Sequence, residues 1–107
     1  MILLAALALA GATTPSRIQV TAKEFYVAVS RHTVKAGPAI VELVNFGEDP
    51  HDLRLQRVGG AHIAGTQEVQ PGAYVDLNVT LRRGTYRLWC GVGNHRQLGM
   101  TAVLTVR

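Results

Sequence analysis

From Ile18 to the C-terminus, apolar and polar residues alternate with a period of two, and the alternation breaks at Gly or Pro every eight to twelve positions. A helix cannot use that pattern, because its buried stripe needs a period near 3.6. The pattern therefore predicts an all-β sandwich of about seven to eight strands. Candidate strands are Arg17 to Thr21, Phe25 to Ser30, Ala39 to Phe46, Asp52 to Val58, Ala73 to Leu81, Thr85 to Cys90 and Thr101 to Arg107. Between them lie Ala36-Gly37-Pro38, Gly47-Glu48-Asp49-Pro50, Gly59-Gly60, Gln70-Pro71-Gly72, Arg82-Arg83-Gly84 and Gly91-Val92-Gly93-Asn94, each with a residue that stops a strand. Val75, Leu77, Val79 and Leu81 alternate with Asp76, Asn78 and Thr80, which gives one core face and one solvent face.

At 107 residues the chain has room for one domain. Met1 to Ala12 reads apart from the rest. Ile2 to Ala12 is an uncharged apolar run about half the length needed to cross a bilayer as a helix, and it closes on the small residues Ala8-Leu9-Ala10 and Ala10-Gly11-Ala12. No Lys or Arg precedes Ile2. The expectation is an export signal over residues 1–12 and a single domain over 13–107, working in the periplasm or outside the cell.

The formal charge of +4 comes from 11 Lys and Arg against 7 Asp and Glu. The basic residues are scattered and have no aromatic neighbours spaced to stack bases, so the charge argues for solubility and acidic partners, not for nucleic acid. One cysteine, Cys90, forbids an intramolecular disulfide and leaves a thiol that needs another explanation.

That explanation lies in Trp89-Cys90-Gly91-Val92-Gly93-Asn94-His95-Arg96-Gln97-Leu98-Gly99-Met100. A thiolate, an imidazole and a thioether on one glycine-rich loop are donors that suit copper, whereas Ca and Mg sites are built from oxygen. A fourth donor has to come from elsewhere. His51, in Pro50-His51-Asp52, opens a strand about forty residues earlier, where a sandwich can bring it beside the loop. Counting by two, Tyr86, Leu88 and Cys90 share one strand face, and Met100, Ala102, Leu104 and Val106 share another. Cys90 and Met100 should then meet at facing strand ends, with His95 carried on the arch between them and glycines 91, 93 and 99 allowing the tight curve. His32 and His62 have no partner in the sequence and read as surface residues. Trp89 has the opposite parity to Cys90 and should point outward.

These residues resemble the cupredoxins, the small type 1 blue copper proteins that include the plastocyanin- and azurin-like members, over essentially all of residues 17–107. Gly84-Thr85-Tyr86-Arg87-Leu88-Trp89-Cys90 looks like the approach to their copper cysteine, and Asn45 through Pro50-His51-Asp52 looks like the loop of their first histidine ligand. The Cys-x4-His-x4-Met spacing is similar to that of sulfocyanins and rusticyanin. The resemblance implies a Greek-key sandwich holding one copper, with His51, Cys90 and His95 equatorial and Met100 a weak axial ligand. It also implies a one-electron carrier with no catalytic turnover, monomeric, with a redox partner protein. Asp52 stands where many members have Asn, which puts in question the hydrogen bond that braces their ligand loops. The alternatives are a protein for copper delivery or storage, and a cupredoxin subunit docked peripherally on a larger respiratory complex. Arg96 beside His95 would bias docking toward acidic partners, with the His95 edge as the short path for electrons and Trp89 as a lateral one.

Overall fold

The computed structural model describes residues 14–107, so the expected export signal lies outside the described residues. Nine strands form two sheets, and no helix occurs among the described residues. The first sheet has the order β2-β1-β4-β7, built from β1 (Ser16–Lys23), β2 (Tyr26–Val29), β4 (Gly37–Asn45) and β7 (Tyr74–Leu81). The second has the order β3-β9-β8-β5-β6, built from β3 (Thr33–Val34), β5 (Arg54–Arg57), β6 (Ile63–Gly65), β8 (Gly84–Trp89) and β9 (Thr101–Val106). The pairing of β1 with β4 is parallel, and so is that of β3 with β9; every other strand pair is antiparallel. This is a Greek-key β-sandwich.

Alternation accounts for the core. Ile18, Val20 and Ala22 of β1 and Ala39, Val41 and Leu43 of β4 point inward, and Tyr86, Leu88, Leu104 and Val106 meet them from the opposite sheet. Each large apolar side chain buried in this way contributes about 1.5–3 kcal/mol. The inward residues of β7 (Val75, Leu77 and Val79) are only half-buried, because β7 is an edge strand and the sandwich is open along that side. Two strands, β3 and β6, are not visible in the alternation. They are two and three residues long, too short to show a period, and short edge strands of this kind discourage pairing with other chains.

The expected strand Phe25 to Ser30 begins one residue later, and the reason matters for the site. Lys23 pairs with Tyr26, so Glu24 and Phe25 form the tip of a tight β1–β2 hairpin instead of extending a strand. That tip lies against the segment before His51 and the loop after Cys90.

Candidate metal centre

Strand pairing delivers Cys90 and Met100 as their parity requires. Leu88 faces Ala102 and Trp89 faces Thr101, and the next pair is closed by the Cys90 N–H donating to the Met100 carbonyl at 3.1 Å. Both side chains are fully buried. The loop between them is a series of tight turns: His95 N–H donates to Val92, Leu98 N–H to His95, and Met100 N–H to His95. Gly93 (φ +48°) and Gly99 (φ +125°) occupy the left-handed region that glycine alone enters freely. At Gly91 a Cβ would crowd the Arg54 guanidinium, which would have to shift slightly.

His51 enters from β5's side of the sandwich. Its backbone forms a two-way bridge with Val69, and its ring is completely buried. Nδ1 of His51 lies 3.8 Å from Cys90 Sγ, and Nδ1 of His95 lies 3.7 Å from the same sulfur. The three donor atoms fall within 4.8 Å of one another, and the two imidazole rings are 5.0 Å apart, centroid to centroid. His32 and His62 are exposed surface residues outside this group.

Two nitrogens and a sulfur converging in a buried space make a soft to borderline donor set that suits copper. Burial pushes the Cys90 thiol above its ordinary value of 9.0, while the amides of Val92 and Asp52 act in the opposite direction. A cation between the three atoms would supply the charge that a buried thiolate lacks. The residues therefore fit a copper ion.

A second layer of contacts fixes these side chains. Asp52 does brace the two ligand segments: its Oδ1 accepts the Gly91 N–H, and its Oδ2 pairs with Arg54 at 3.1 Å. Asn45, fully buried, donates to the carbonyls of Asp49 and Val69 and accepts from Gly47 N–H, each at 2.8 Å, so it pins the turn that leads into His51. Glu24 was not legible as a site residue. From the hairpin tip its Oε2 meets His51 Nε2 at 2.7 Å, and its Oε1 accepts the N–H groups of Glu48 and Asp49. The Glu48 amide first and the His51 ring second pull the Glu24 carboxyl from 4.5 down to about 2. As a carboxylate it can only accept, so Nε2 of His51 carries the proton and Nδ1 turns its lone pair toward Cys90.

His95 is not an open edge at the end of the domain. It is about nine-tenths buried, with Phe25 of the hairpin tip stacked obliquely at 5.2 Å and Asp49 3.4 Å from its Nε2. Trp89 does lie on the outer face, but it is buried there beneath the Arg96 guanidinium, 4.3 Å from the ring centroid. The sequence shows parity; it does not show that a neighbouring loop folds a cation over the outward ring.

No protein-family model matches the sequence, and no curated protein matches it. Solved structures do share the fold. An auracyanin from Roseiflexus castenholzii superposes with a TM-score of 0.71 at 22% identity, covering 91% of this chain and 99% of that one. Auracyanin A of Chloroflexus aurantiacus, described as a blue copper protein, gives a TM-score of 0.75 at 20% identity over 88% of this chain and 100% of its own. A copper nitrite reductase from Nitrosomonas europaea gives 0.67 at 13% identity over 87% of this chain, which spans 41% of the length of that enzyme chain. The chain has the cupredoxin fold.

Proposed function

We propose that this protein is a type 1 blue copper protein that carries single electrons outside the cytoplasm. The observation that carries the reading is the convergence of His51 Nδ1, Cys90 Sγ and His95 Nδ1 within 4.8 Å in a buried site, with Met100 buried beside Cys90. His51, Cys90 and His95 would hold one copper, and Met100 would add a weak thioether donor. A bound copper in such a set cycles between Cu(I) and Cu(II) and so supplies one-electron exchange.

The chain's own residues suit that task. Two strand ends, the bridge to Val69 and the Asn45 and Asp52 hydrogen bonds hold the donors in place, which favours little rearrangement on electron transfer. The burial of all four residues argues against an open coordination position for a substrate, and hence against an enzyme with its own turnover. It also argues against copper delivery, which calls for an accessible, Met- and His-rich site; the chain has two Met and four His. Phe25, Phe46 and Leu98 expose apolar surface on the segments that enclose the site, and Arg96 lies on the same loop as Leu98. These groups would offer contacts to a redox partner protein, with Arg96 favouring an acidic one and Glu48 and Asp49 offsetting it. The apolar leader supports export to the periplasm or beyond, and the auracyanin likeness supports a carrier over an enzyme domain.

Titration of the metal-free protein with Cu(II), followed by optical absorption, tests the reading. One equivalent should produce an intense thiolate-to-copper charge-transfer band that bleaches on one-electron reduction and returns on oxidation. Absence of that band, or a band that survives in Cys90→Ser, contradicts it.

A further inference from the structure

The hairpin tip at Glu24 and Phe25 touches both segments that bring in a histidine, Glu24 by hydrogen bonds to the His51 segment and Phe25 by its ring against His95, although it contributes no metal donor itself. Glu24 is 21% exposed, short of full burial, yet its two oxygens are committed: Oε2 to the fully buried His51 ring, Oε1 to two successive backbone amides. The approach depends on a glycine. A Cβ on Gly47 would overlap Glu24 Oε2, so the side chain reaches His51 only because residue 47 has none. Gly47 has no positive φ to explain its identity, which leaves this close passage as its structural role.

We infer that Glu24 is a positioning residue that orients His51 through its outer nitrogen and places a negative charge on that ligand, biasing the copper site toward Cu(II). This rests on the copper reading above. The physical reason is the carboxylate–histidine–metal relay: an acceptor on the outer N–H fixes the tautomer and raises the basicity of the coordinating nitrogen, and a full negative charge does so more strongly than a neutral carbonyl. A more basic, more negative ligand environment favours the dication over the monocation. Glu24 therefore lowers the reduction potential, and the β1–β2 tip that carries it acts as an electrostatic clamp on the centre.

Two substitutions separate this role from a merely structural one. Glu24→Gln keeps an acceptor oxygen for the Glu48 and Asp49 amides but puts an NH2 group where Oε2 accepted from His51. Gly47→Ala keeps the carboxylate and displaces it, an easy shift for the end of a flexible side chain. In copper-loaded protein both should change the ratio of Cu(II) to Cu(I) affinity by about tenfold toward Cu(I), a rise of about 59 mV in spectroelectrochemical potential. Coincident potentials in the wild type and both variants overturn the proposal.

A second measurement needs no copper. In the metal-free wild type, ring 15N shifts should report His51 protonated at Nε2, and that preference should weaken in both variants. A wild-type His51 protonated at Nδ1 overturns the proposal whether or not the variants fold. Because this readout involves no metal, a failure of copper binding would refute the functional reading and leave the Glu24 result to stand or fall on its own.

Discussion

Asn45 is the side chain on which the geometry of the His51 loop turns, and truncating it should be costly. Asn45→Ala removes two donated bonds, to Asp49 and Val69, and one accepted from Gly47, all at 2.8 Å. The Val69 carbonyl keeps a partner, because the His51 N–H also donates to it at 3.2 Å. The Asp49 carbonyl and Gly47 N–H lie in partly buried surroundings and recover some hydration. At about 1 kcal/mol net for each bond, the loss is about 3 kcal/mol, which for a domain of this size lowers the melting temperature by roughly 12–24 °C. Asn45→Asp should do no better, since it keeps the acceptor for Gly47 but sets a charge against two carbonyls. Urea unfolding of the metal-free protein, followed through the fluorescence of Trp89, its single tryptophan, measures the effect. A loss below about 1 kcal/mol in Asn45→Ala would refute the pinning argument.

Other outcomes follow from the same geometry. Replacing Met100 by Leu should raise the reduction potential with copper still bound, and Gln should lower it; potentiometric titration giving three equal potentials would remove Met100 from the set of donors. Arg96→Glu should slow electron exchange with an acidic redox protein in a salt-dependent way, and it should uncover Trp89, seen as a red-shifted fluorescence maximum; rates unchanged at low ionic strength would take Arg96 off the docking surface. Folding lowers the Glu24 carboxyl from 4.5 to about 2, so as pH falls the unfolded chain takes up that proton first. The stability contributed by the carboxylate is complete above about pH 4.5 and lost by about pH 2. The gap in metal-free stability between wild type and Glu24→Gln should therefore close across that window, and a constant gap would contradict the assignment.

What could be read from the sequence divides along physical lines. Strands of four residues or more show their period, so β1, β2, β4, β5, β7, β8 and β9 emerge, with the inward faces of β7, β8 and β9 as expected, whereas β3 and β6 have too few residues to alternate. The Cys90 to Met100 loop was legible because its donors are contiguous and their parity carries directly into the β8–β9 register. His51 followed from the need for one more donor. Glu24 and Gly47 left no such trace, since no spacing rule links a hairpin tip to a ligand 27 residues further on; only the fold of β1 beside β4 brings them together. The burial of His95 is hidden for the same reason, because the alternation runs a strand through Phe25, which the fold instead places at the tip that covers the ring.

The central claim is that one copper is held by a single thiolate and two imidazoles from His51, Cys90 and His95. X-ray absorption at the copper edge, on protein loaded with one equivalent, tests it most directly. A first shell of one short copper–sulfur bond and two imidazole nitrogens is expected, with the sulfur lost in Cys90→Ser and one imidazole lost in His51→Ala. A wild-type first shell of nitrogen and oxygen alone, or one unchanged in Cys90→Ser, would contradict it.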